Sequence, residues 1–127
     1  MQDKPSAGEL LEALAQFLES EVVPAFDGRR RFHAIVGANV ARIVAREIRL
    51  GPEHASQEYA ALCALLGETS GKADASDAEL LRLNAELCRR IDRGDADTGD
   101  FRAVVIAFLR RVVAAKLAVD NPKMLER

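Results

Sequence analysis

Four polar residues stand where helical spacing places apolar ones, and they are this chain's first candidates for chemistry. At about 100° per residue, Asn39 falls among Phe32, Ile35, Val36 and Ile43, and Asn84 falls among Leu80, Leu81, Leu87 and Cys88. Lys116 follows Val105, Leu109, Val112 and Val113 on one face, and Glu47 sits one turn beyond Ile43 and Val44. A buried amide or charge without a partner costs roughly 2 kcal/mol or more, so such groups must find one another, backbone or water. The pattern therefore predicts a polar cluster drawn from Asn39, Glu47, Asn84 and Lys116. The structural reading comes first: a few buried amides fix the register of a bundle of mostly Leu and Val. The Lys116 stem can also lie along apolar neighbours near a helix C-terminus. The functional reading is a small interior pocket, with Lys116 meeting an anion or carbonyl and Glu47 or His33 as base. No nucleophile, base and orienting group can be set together from spacing.

Other chemistries lack their residues. His33 and His54 share no ligand spacing, and no Cys-x-x-Cys is present, so neither a metal site nor a cofactor is expected. Gly37 and Gly51 stand alone, without the lysine of a phosphate loop. Gly37, inside a helix, points to close approach of another helix. Arg29, Arg30 and Arg31 with Arg102, Arg110 and Arg111 read as a solvated face balanced by carboxylates rather than a nucleic-acid patch, because the net charge is −2. Cys63 and Cys88 have no partner motif and fit free thiols in a reducing compartment. With no apolar run ahead of a cleavage site and no stretch of about 18 apolar residues, a cytoplasmic protein without a membrane span is expected.

The elements that must position these residues read as helices. The 127 residues, 49% hydrophobic and only 5% aromatic, suit one aliphatic-cored domain spanning the whole chain. Ser6 to Glu9 is a capping box, opening a first helix with Leu10, Leu11, Leu14, Phe17, Leu18 and Val22 on one face. After Pro24 and Asp27-Gly28, a second helix carries the stripe Phe32, Ile35, Val36, Val40, Ile43 and Val44, which is expected to face the core. Gly51-Pro52 is expected to end it and begin a third helix from about Glu53 to Leu66. Residues 67–75 read as a flexible loop. A second capping-box pattern at Ser76 to Glu79 starts a fourth helix reaching Ile91. The Arg93-Gly94-Asp95 that follows reads as turn chemistry, not an adhesion signal. A fifth helix runs from about Phe101 to Val119 and stops at Asp120-Asn121-Pro122. The expected fold is all-α, an up-and-down bundle of about five helices.

Three segments together, MQDKPSAGELLEALAQFLESEVVPAFDGRRRFHAIVGANVARIVARE, LNAELCRR and AKLAVDNPK, resemble a family of small bacterial helical proteins whose function is unknown. The resemblance spans nearly the whole chain apart from residues 67–75. It implies a setting beside aminoglycoside-phosphotransferase-like small-molecule kinases and acyl-CoA dehydrogenases, and no catalytic residues to carry over. The resembling segments hold Phe32, His33, Asn39, Arg46 and Glu47, then Asn84, Glu86 and Arg89, then Lys116, Asp120 and Asn121. His33, Arg46 and Asp120 therefore join the candidate positions.

Two functions from different classes follow. One is a non-catalytic accessory module on such a kinase or dehydrogenase, for which an exposed apolar patch or a homodimer face is the sign. The other is a bundle that binds or transforms an acyl or phosphorylated metabolite through Asn39, Glu47, Asn84 and Lys116.

Overall fold

The computed structural model describes residues 4–69 and 76–126. Four α-helices account for most of them: α1 (Ala7–Phe17), α2 (Gly28–Leu66), α3 (Asp77–Asp92) and α4 (Gly99–Asp120). α1 runs on into a wide π-helical turn at Leu18–Val22, and a 3₁₀ turn at Pro122–Glu126 follows α4. No strand occurs among the described residues, so the protein is all-α. Of the loop expected at 67–75, residues 70–75 lie outside the described residues.

Local chemistry sets most of the ends. Ser6 Oγ accepts from the Glu9 amide at 3.3 Å while the Ser6 amide donates to Glu9 Oε2 at 2.7 Å, a complete capping box. At α3, Ser76 Oγ accepts from the Glu79 amide at 3.3 Å, but the Glu79 carboxylate goes to Arg82 instead of back to the cap. α3 closes on Gly94, whose φ of +89° suits glycine alone among common residues and turns the next amide, that of Asp95, back to the Arg90 carbonyl at 3.0 Å. In the Arg93-Gly94-Asp95 turn, Arg93 and Arg90 both hold the Asp95 carboxylate, at 3.0 and 3.3 Å, so the tripeptide's charges are spent on each other.

One expected boundary is corrected. Gly51-Pro52 does not end a helix: α2 continues through Pro52 to Leu66. Proline has no N–H for the Ile48 carbonyl and normally pushes the residue before it out of the helical region by clashing with that residue's Cβ. Gly51 has no Cβ, so that clash is absent, and the cost left is the missing hydrogen bond and the crowding of the proline ring against the Ile48 carbonyl. Helices two and three of the sequence reading are therefore one 39-residue helix.

By contacts the chain divides into two compact units: one takes residues up to Gly51 together with those from Ala118, the other Pro52–Leu117. The second unit has a core of large side chains, Leu62, Leu83, Leu87, Val105 and Phe108 with Cys63, flanked by Tyr59, Leu65, Leu80 and Phe101. Arg90's guanidinium lies 4.2 Å from the centre of the Phe101 ring and closes one side of it.

The first unit is built differently. Its buried cluster is Ala15, Ala38 and Ala41, with Leu11 and Leu18 packed against it. On α2 the buried positions are Ala34, Ala38, Ala41 and Ala45, a row spaced by four, three and four residues. Small side chains let α1 and α2 approach closely: a Cβ on Gly8 would stand 4.0 Å from the Ala45 carbonyl oxygen, and one on Gly37 would stand 3.5 Å from Leu18 Cδ1. The stripe expected to face inward does the reverse. Phe32, Ile35, Val36, Val40 and Val44 are exposed, and Ile43 is half-buried. The alanine row and the larger stripe cannot both face α1, and the tighter packing of alanine takes the contact.

Candidate functional site

The polar candidates occupy surface positions. Asn39, Glu47 and Lys116 are exposed, and Asn84 alone is half-buried. Among the described residues no polar or charged side chain is fully buried. The interior setting expected for Asn39, Glu47 and Lys116 is thus corrected. For Asn39 and Glu47 the cause is the turn of α2 that puts alanines inward. Asn39 and Glu47 belong to the first unit, Asn84 and Lys116 to the second.

Asn84 has a complete local account. Its Nδ2 donates to Glu58 Oε1 at 2.8 Å and to the Leu80 carbonyl at 3.0 Å, tying α3 to the second half of α2. Close by in sequence, Arg82 holds both Glu68 and Glu79, with shortest contacts of 2.7 and 3.1 Å. That guanidinium keeps the Glu68 carboxyl below its ordinary range. Tyr59 is shifted the other way, upward, by its hydrogen bond with Cys63 and by burial. Both cysteines are free thiols, Cys63 buried and Cys88 exposed.

In the first unit the strongest polar feature is one that spacing did not single out. Arg42 reaches from α2 to two glutamates of the α1 segment, Glu12 at 2.8 Å and Glu19 at 2.6 Å. The contact with Glu19 is two-pronged, through Nε and a terminal nitrogen, the strong geometry for a guanidinium and a carboxylate. It holds the Glu19 carboxyl below its ordinary range and raises Arg42 further. The signal available in the sequence was the pair of glutamates seven residues apart on the flank of α1, two turns on one side.

The lower-ranked candidates are also placed. Arg46 Nε donates to the Val119 carbonyl in the last turn of α4, where a cation meets the negative end of the helix dipole. Two of the three family-like segments therefore touch inside one unit. Asp120, the last residue of α4, is exposed. His33 is exposed and accepts from Arg29 Nε at 3.3 Å.

What stands out at this surface is apolar. On α2, Phe32, Val36, Val40, Val44 and Ile48 repeat every four residues and are 41 to 64% exposed. On α1, Leu10, Leu14 and Phe17 form a second open row, 48 to 56% exposed. Single exposed apolar side chains are ordinary, but rows of them at helical spacing mark interaction surfaces. Among the described residues there is no grouping of three or more His, Cys, Asp or Glu fit to hold a metal, and no helix is long and apolar enough to cross a membrane.

Fold and surface together define an all-α protein with an alanine-packed helix pair that carries open apolar rows. It belongs to the family described as Domain of unknown function (DUF6285), whose model matches residues 24–124 and so begins after α1. No curated protein and no solved structure matches the chain.

Proposed function

We propose that this protein is a non-catalytic accessory module of the cytoplasm that docks on, or stabilises, a kinase of the aminoglycoside-phosphotransferase type. The observation that carries the reading is the open row Leu10, Leu14 and Phe17 on α1. Anchors at i, i+4 and i+7 on one helix are what an apolar groove of a partner protein receives. Arg42 supports the presentation, since its bonds to Glu12 and Glu19 hold the opposite flank of the same helix segment against α2. The choice of a kinase as partner comes from the family resemblance of the three sequence segments.

Co-expression with the aminoglycoside-phosphotransferase-like kinase of the same genome is the test. The expected result is co-elution of the two chains, lost with Leu14→Lys, while far-UV circular dichroism shows the helices retained. Ligand at a hundred times its dissociation constant adds about 2.7 kcal/mol of stability. Separate elution of the two chains, with a rise in melting temperature from an acyl-CoA thioester or a phosphorylated metabolite, overturns the accessory reading. It would put the small-molecule-binding reading forward in its place.

A further inference from the structure

Phe32, Val36, Val40, Val44 and Ile48 lie on one i±4 ridge of α2, all exposed, within a single unit. Ridges of that kind pack into the matching grooves of another helix, most often at about −50° between axes. The residue types along this ridge read nearly the same in both directions from its middle. Equidistant from Val40 stand Val36 and Val44, then Phe32 and Ile48, with the large side chains at the ends and valines between. The polar residues bordering the ridge are also placed symmetrically about Val40, but with opposite chemistry. His33 and Glu47 are both seven positions from it. Arg29 Nε donates to His33 Nε2, which leaves Nδ1 of that ring as a donor backed by the Arg29 charge. The Glu47 carboxylate lies over Gly51, with Oε1 3.0 Å from where a Cβ there would stand, and takes part in none of the ion pairs among the described residues.

We propose that the α2 ridge is a self-association surface whose occupant is a second copy of this chain, crossing antiparallel about a two-fold axis at Val40. Two copies so related place Val36 of one against Val44 of its partner, with Phe32 and Ile48 at the two ends of the contact and the Arg29–His33 donor pair toward Glu47, twice over. A closed two-fold contact requires such self-complementarity, and an unrelated partner gives no reason for charge and size to mirror about one residue. Each half of the contact supplies apolar surface at the centre and a polar rim, the usual anatomy of an interface. The inference rests on reading this unit as an interaction module. It assigns the α2 ridge to a second copy and leaves the α1 row for the kinase.

Sedimentation velocity on the full chain, with Cys88→Ser as background, tests the contact. A dimer is expected at tens of micromolar, and Val40→Lys is expected to sediment as a monomer with unchanged far-UV circular dichroism. Glu47→Arg is expected to weaken the dimer by roughly two- to thirtyfold, the range of two exposed ion pairs, and adding His33→Glu to restore it. Because the axis passes at Val40, Val40→Cys should give a disulfide-linked dimer on mild oxidation, whereas Val104→Cys, an equally exposed position of the other unit, should not. A chain that stays monomeric at high concentration overturns the proposal. So does a dimer that survives Val40→Lys and is not crosslinked through Val40→Cys, since a different surface then holds it. If the dimer behaves as expected but the kinase elutes apart, the functional reading fails and this one stands. If Val40→Lys is monomeric and still binds the kinase, both hold.

Discussion

The two units solve the same packing problem with opposite materials. In Pro52–Leu117 a single centre of Leu62, Leu83, Leu87, Val105 and Phe108 is closed off from water, with Phe108 only 2% exposed. In the other unit alanines do the packing, Ala38 being 1% exposed, while the large side chains of the same helix stay outside. Burying a large aliphatic or aromatic side chain contributes about 1.5 to 3 kcal/mol, and an alanine much less. The alanine unit has given up that gain on its inner side and kept the large groups for its surface. It offsets part of the loss with close helix contact and with Arg42 held between Glu12 and Glu19. The second unit also leaves Leu81, Val104, Leu109 and Val113 exposed, so the contrast lies in what each unit buries: large side chains in one, alanines in the other.

The comparison breaks most readily at Phe108. Phe108→Ala removes a nearly fully buried ring and is expected to cost about 3 to 5 kcal/mol, read as a shift in the urea midpoint. A cost below about 1 kcal/mol would mean that the Leu62–Phe108 cluster does not carry its unit. The alanine unit should be sensitive to the reverse change. Ala38→Leu forces a branched side chain between α1 and α2, where backbone and side chains already stand in contact, and should cost about 1 to 3 kcal/mol. If Ala38→Leu were stabilising, the seam would contain unused space and the open ridge would lose its explanation. A smaller effect of opposite sign is expected from Gly37→Ala. The added methyl would meet Leu18 Cδ1 at 3.5 Å, an ordinary contact, and helix propensity favours alanine by about 1 kcal/mol. A rise in melting temperature confirms that the seam at Gly37 is close but not full.

How much of this was legible follows from which interactions are local. The capping box at Ser6, the turn at Gly94 and the end of α4 ahead of Asn121-Pro122 depend on neighbours within a few residues, and sequence alone placed them. The continuity of α2 through Pro52 was not read, because the missing Cβ of Gly51 cancels a clash that usually makes proline a boundary. The orientation of α2 was misread for a related reason. Its apolar residues surround most of the helix, so periodicity named a stripe but could not choose which side met α1. Ala34, Ala38, Ala41 and Ala45 held the answer in their own spacing. Asn84 was correctly marked as a residue inside an apolar face, yet its partner Glu58 lies on α2, 26 positions away, where no local rule connects them.

Acid titration draws the last and smallest contrast between the units. Glu19 in the alanine unit has its carboxyl pKa lowered from about 4.5, chiefly by the Arg42 hydrogen bond. Glu68 and Asp95 in the other are lowered by Arg82 and Arg93. A depressed folded-state pKa means that the stabilisation is complete above the unfolded value and is lost as pH falls through the folded one. Melting temperature should therefore hold steady down to about pH 5 and then decline as these carboxylates take up protons. Arg42→Met removes the partner of Glu19 and should take away the share of the decline due to Glu19; Arg82→Met should take away that of Glu68 and leave that of Asp95. All three carboxylates sit near solvent, so salt screens these pairs and should shrink both effects together. A decline that begins above pH 6, or one that neither substitution changes, would show that some other group governs acid unfolding and that the Arg42 clamp adds little to the alanine seam.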